Sequence, residues 1–264
     1  MRVSDKRDMS GRPLTARSVI ASTLLGVDPP RLPTLALVRS GELFGLSEGA
    51  TRTALSRMAA AGDVVADGAG YRLAGSLLDR HARQQAARDA PTRPWDGTWE
   101  LAVVPDGRRP AAERARLRAA ARRLRLAEVR EGCWARPDNL DARRSPAERA
   151  VVDAQCLALR GARPDDDDAF VAAFDPEGWA STARHLLADM ARSQPSLDVR
   201  DAGALAETFH VDAAVVRHLV ADPALPPELE PPDWPAEALR AAFARFDGGF
   251  KATWRAWYRT FGSG

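Results

Sequence analysis

The stretch GLSEGATRTALSRMAAAGDVV, residues 45–65, decides the fold. Ser47 is a good N-cap and Gly62 a natural C-terminal stop, so the pattern predicts a helix over Glu48 to Ala61. On its wheel Thr51, Ala54, Leu55 and Met58 fall on one side, while Gly49, Arg52, Thr53, Ser56 and, at the flank, Arg57 fall on the other. That outer side is short and polar. Arginine beside threonine and serine, on a helix kept lean by alanine and glycine, is what a helix entering the major groove needs to reach base edges and phosphates. An ordinary solvated face is also polar, but it more often carries glutamate and lysine.

Working outward, Thr15 to Leu25 has Val19, Ile20, Thr23 and Leu24 at helical spacing before Gly26. A second helix is predicted from Pro33, acceptable in a first turn, through Leu35, Leu37 and Val38 toward Ser40. On the other side, Asp63 to Ala66 and Gly70 to Leu73, joined at Asp67-Gly68, read as a hairpin. Helix, helix, turn, helix, hairpin is the order of a winged helix-turn-helix.

Proline, glycine and charge clusters then divide the chain into three parts: 10–90, the helical and hairpin region; 95–175, mixed strands and helices; and 176–264, helical. The fold class expected is α+β. In the middle part, Trp99 to Val104 reads as a strand and Pro110 to Leu126 as a helix with Leu117, Ala120, Ala121 and Leu124 inward. Ala127 to Arg136 follows as a strand, then a helix from Ser145 and a strand near Gln155 to Arg160, a ferredoxin-like outline. SQPS, 193–196, reads as a further interruption, and the Asp165 to Asp168 run as a solvated loop.

Charge is uneven. Residues 1–90 carry 13 basic and 9 acidic side chains, whereas residues 131–264 carry 15 basic and 22 acidic, so a polyanion is expected to meet the first half. Lys6 and Lys251 are the two lysines; the other cations are guanidinium groups, suited to bidentate recognition of phosphate or carboxylate. Arg114, Arg118, Arg122 and Arg125 fit either phosphate tracking or a wet helix face. No apolar run approaches the roughly 20 residues that span a bilayer, and no secretory signal is legible, so a cytoplasmic protein with no membrane partner is expected. Cys133 and Cys156 lack CxxC spacing and read as reduced and inert.

Several blocks together carry a resemblance. TARSVIASTLLG (15–26), GLSEGATRTALSRMAAAGDVV (45–65), WDGTWELAVVP (95–105), GCWARP (132–137) and DPALPPELEPPDWP (222–235) resemble, in order, the PaaX-type repressors of bacterial phenylacetate degradation. The resemblance implies a winged helix-turn-helix, a ferredoxin-like dimerisation domain and a helical C-terminal domain. It further implies a homodimer that binds operator DNA and is released by a small-molecule effector, an aryl-acyl-CoA thioester. Carried over by position, Arg52, Thr53, Ser56, Arg57 and, on the wing, Arg72 would face DNA. The wing departs from the family pattern: Asp67 sits at its tip with only Arg72 to balance it, and a carboxylate there would repel phosphate. The tract FHVDAAVVRHLVADP, 209–223, also departs in spacing.

The effector is expected between the central and C-terminal domains, lined by Trp99, Trp134, His210 and Arg217, although tryptophans in such blocks more often pack a core than stack on a ligand. Asp212 reads as polar surface. The histidines show no HxxxH or HExxH spacing, and neither a GxSxG elbow nor a P-loop occurs, so no metal, cofactor or catalytic residue is assigned. A second reading stays open: a repressor-derived protein that has lost operator binding and binds or transforms a small molecule in an interdomain pocket.

Overall fold

A computed structural model describes residues 15–89, 92–105, 107, 109–141 and 145–261. Thr15 opens helix α1 (Ala16–Leu25) with a capping box in which its hydroxyl accepts from the Ser18 N–H and the Ser18 hydroxyl accepts from the Thr15 N–H. A three-residue strand β1 (Arg31–Pro33), flanked by prolines and without legible periodicity, precedes α2 (Thr34–Leu43). Then come α3 (Glu48–Ala60), β2 (Val64–Asp67), β3 (Gly70–Leu73) and α4 (Gly75–Asp89). The wing is therefore a three-stranded antiparallel sheet in the order β1-β3-β2, not the isolated hairpin expected.

Two glycines set the close approaches here. A Cβ on Gly41 would lie 2.6 Å from Thr51 Oγ1, so the absence of a side chain lets α2 cross tightly against α3. A Cβ on Gly70 would lie 2.1 Å from the Leu32 carbonyl oxygen, so only glycine lets β3 run this close to β1. Ile20, Leu24, Leu37, Leu55, Met58, Val64 and Leu73 form one buried cluster that joins α1, α2, α3 and the wing. Each such side chain contributes about 1.5–3 kcal/mol on burial.

The second region begins with β4 (Trp99–Val103) and α5 (Ala111–Arg123). The segment expected as one strand from Ala127 to Arg136 is two, β5 (Ala127–Arg130) and β6 (Cys133–Pro137), folded back at Gly132 in the left-handed region (φ +73°). Helix α6 (Pro146–Gln155) and strand β7 (Leu157–Ala162) complete an antiparallel sheet of order β5-β6-β4-β7 with β-α-β-β-α-β connectivity. Leu117, Ala120, Ala121 and Leu124 of α5 pack inward with Trp134 and Val152.

Helices α7 (Asp168–Ala172), α8 (Pro176–Asp198), α9 (Leu205–Val220) and α10 (Ala236–Arg259) follow. Pro195 lies inside α8 near its end, so the expected interruption at SQPS does not break that helix. The described residues form two compact units. One unit takes residues 15–88, Ala183–Val220 and 237–261; the other takes described residues between Asp89 and Thr182 together with Ala221–Ala236. The block DPALPPELEPPDWP thus belongs with the second unit. There Asn139 Nδ2 donates to the Ala224 carbonyl at 2.8 Å, and Trp234 stacks on Trp179 with centroids 4.7 Å apart.

Candidate nucleic-acid interface and ligand cleft

Helix α3 starts at Ser47, whose side chain accepts from the Ala50 N–H at 3.2 Å, and its inner positions Thr51, Leu55 and Met58 are buried. That anchoring leaves Arg52, Thr53, Ser56 and Arg57 all exposed along the outer side. Arg52 is held within the helix: its Nε donates to Glu48 Oε1 at 2.7 Å. Because the contact uses Nε, the two terminal nitrogens of the guanidinium point onward as a donor pair. On the wing Arg72 is exposed, and its Cα partners are Arg31 on one side and Val65 on the other.

The wing tip corrects one expectation. Asp67 is not balanced by Arg72 alone, because Arg31 Nη1 lies 3.8 Å from Asp67 Oδ2. The extra strand β1 supplies that arginine, which was not legible as part of the wing because RLP gives no strand signal. Two exposed guanidinium groups, Arg31 and Arg72, therefore accompany one carboxylate on this sheet.

The four expected effector residues divide between the two units. Trp99 and Trp134 lie in the sheet of the second unit, and both are buried. The Trp99 indole N–H donates to Asp167 Oδ1 at 2.7 Å and the ring packs edge-on to Phe170, so one carboxylate of the Asp165–Asp168 run has a structural partner instead of solvent. His210 and Arg217 lie on α9 in the first unit. His210 meets Phe44, in the turn before α3, edge-on at 5.9 Å.

Arg217 instead lines a small, half-open cleft of about 40 Å³ within the first unit, walled by α1, α4 and α9. Arg80 and Arg88 enter it from α4, Leu25 from α1, and Phe209, Asp212 and Val216 from α9. Burial lowers the pKa of Arg80, and Arg217, Arg83 and Arg17 add repulsion; no carboxylate offsets them. Arg88 is better placed, donating to Asp247 Oδ2 at 2.8 Å and lying over the Phe243 ring. Asp212 is the reverse of polar surface: its Oδ1 is buried without a hydrogen-bond partner. Its carboxyl is pushed up to about 7 by burial first and then by Asp247, against the pull of Arg88 and Lys251. The spacing 209, 212, 213, 216, 217 on α9 and 80, 84, 88 on α4 was a readable signal, since each set is one helix face.

The second unit holds a different arginine cluster. Glu100 on β4 has no exposure and accepts from Arg136 Nε at 2.7 Å and from Arg149, with Arg160 at 3.7 Å. Although burial opposes ionisation, the guanidinium groups of Arg136, Arg149 and Arg160 together hold its carboxyl below the ordinary value. Cys133 and Cys156 are free thiols, both pushed up by burial. Among the described residues no helix is long and apolar enough to cross a membrane, and no group of three or more His, Cys, Asp or Glu side chains is placed to hold a metal.

A winged helix-turn-helix followed by this antiparallel sheet and long helices is the architecture of a class of transcription regulators, and the chain belongs to the PaaX-like protein family. Residues 15–77 match the PaaX-like protein model and residues 168–259 the PaaX-like protein C-terminal domain. Among solved structures, the uncharacterized protein Rv0674 from Mycobacterium tuberculosis is similar: 39% identity, a TM-score of 0.71, and coverage of 92% of this chain and 98% of that one. No curated protein matches.

Proposed function

We propose that the protein is a dimeric transcriptional repressor that reads a palindromic operator through α3 and releases it when a small molecule binds. The observation that carries this reading is the fully exposed row Arg52, Thr53, Ser56 and Arg57 on a helix anchored by its opposite side. Arg52 is best suited to base readout, because Glu48 fixes its Nε and leaves a fork for guanine O6 and N7. Arg31 and Arg72 suit the flanking phosphates. The ferredoxin-like unit is assigned to dimerisation: β7 is an edge strand, and Leu157 and Leu159 on it are 64% and 49% exposed. One recognition helix per protomer then requires half-sites about one helical turn, or a multiple, apart.

An electrophoretic shift with DNA from upstream of the protein's own gene, followed by footprinting, tests the proposal. Two protected half-sites are expected. A shift absent at low salt, or protection of a single half-site, overturns it. Arg52→Ala is expected to relax sequence preference by about 1–3 kcal/mol, measured against operator variants at the contacted guanine. Equal weakening on every sequence would reassign Arg52 to phosphate.

A further inference from the structure

Guanidinium groups are costly to bring together without counter-charge, and in a folded protein such groups normally meet carboxylates. Arg80 and Arg217 do not. They approach from different helices, α4 and α9, into one cleft, and among the described residues neither has an ion pair or hydrogen bond to a carboxylate. Nearby carboxylates are committed elsewhere. Asp247 is shared by Arg88 and Lys251, each at 2.8 Å, and Asp63 is taken by Arg17 at 2.9 Å. Asp212 lines the same cleft, but it pairs with neither arginine, its carboxyl is pushed up to about 7 by burial, and its buried Oδ1 lacks a hydrogen-bond partner. The remaining wall is mixed: Leu25, Phe209 and Val216 form an apolar side, with Ser22 and Gln84 beside them.

We infer that this cleft is a binding site for a small organic anion, whose charged head is received by Arg80 and Arg217 and whose apolar body lies against Phe209 and Val216. A carboxylate or phosphate head matches the forked guanidinium groups, which bind such oxygens with charge-assisted hydrogen bonds.

The site also sits where a ligand can act. Helix α1 packs against α2 and α3, and α4 continues directly from the wing, so an anion that draws α9 toward α4 pulls on elements that carry both DNA-contacting features. This coupling rests on the proposed repressor function, and it requires the anion to prefer one arrangement of α9 over the other. The binding site itself does not depend on that reading.

The test uses the full chain, without DNA, in calorimetric titrations with benzoate, phenyl phosphate and benzamide. Benzoate or phenyl phosphate should bind and benzamide, of the same shape as benzoate but neutral, should not; which of the two anions binds tighter identifies the head group. Arg80→Met and Arg217→Met, at exposed positions that do not carry the core, should each weaken anion binding about tenfold or more. Melting curves identify a variant that fails to fold, in which case the other single variant gives the answer. Equal binding of benzamide, no binding of either anion, or wild-type affinity in both folded variants overturns the site. A separate shift assay with operator DNA, with and without the tighter anion, reads release; failure to bind DNA at all counts against the repressor function and leaves the titration result standing.

Discussion

Around Glu100, two nearly buried guanidinium groups and a third half-exposed one surround a carboxylate with no exposure; in the cleft of the other unit, Arg80 and Arg217 share one lining and, among the described residues, neither pairs with a carboxylate. The residue type is the same and the consequence differs. Where the counter-charge is internal, arginine holds β4, β6, β7 and α6 in register and has little left to offer a ligand. Where it is missing, exposed guanidinium groups keep their donors available to a ligand. Arg31 with Asp67 stands between these cases, a pair in water at 3.8 Å that blunts a charge without fixing a structure.

The comparison breaks most severely at Glu100. Glu100→Gln strips the counter-charge from Arg136, which is 3% exposed, and from Arg149, so a loss of about 3–5 kcal/mol is expected from urea denaturation. A loss under 1 kcal/mol would mean that these arginines reach water and that the two clusters are not different in kind.

Asp212 gives a pH signature. Its folded value of about 7 lies above the ordinary 3.8, so the folded state keeps a proton that the unfolded chain has released, and stability falls as pH rises from about 4 to about 7. Asp212→Asn should remove that slope. It should match the wild type near pH 4 and exceed it by about 1–2 kcal/mol above pH 7, a figure reduced because Asp247, Arg88 and Lys251 share the charge. Parallel stability curves for the two proteins would show that the carboxyl is solvated.

Arg80→Met sharpens the contrast with Glu100. Removing an uncompensated cation should leave stability within about 0.5 kcal/mol of the wild type or raise it, read as an unchanged or higher melting temperature. A clear loss would reveal an internal partner for Arg80 and close the gap between the clusters. The smallest effect is expected at the wing, where Asp67→Arg should leave the fold intact and steepen the log-log salt dependence of DNA binding by about 0.9. An unchanged slope would mean that this tip does not contact phosphate.

Much of the helix-turn-helix was legible because its boundaries are written in local chemistry: Thr15, Ser47, Gly62 and Asp67-Gly68 each act within a few residues of themselves. Strand β1 was not, since three residues between prolines carry no period and become a strand only by pairing with β3. The turn at Gly132 was hidden for a related reason, as the residues on both sides of it favour strand. Pro195 misled in the other direction; proline suppresses a local hydrogen bond, but the long helix α8 tolerates it near its end. The cleft was half legible. Arg217 was named, while Arg80, Arg88 and Asp212 acquire meaning only when α4 and α9 are brought together, which no local pattern encodes.

The interleaving of the two units has a consequence for biosynthesis. The N-terminal part of the first unit leaves the ribosome early, yet partners of its side chains arrive far later: Asp247 for Arg88, Trp254 for Ser40, Phe261 for Arg39. Contacts so distant along the chain close slowly. The first unit therefore waits, incomplete, while the intervening sheet is made, and a nascent chain stalled before α10 carries a recognition helix without its full support. The winged helix-turn-helix would gain its full set of side-chain partners only as translation finishes.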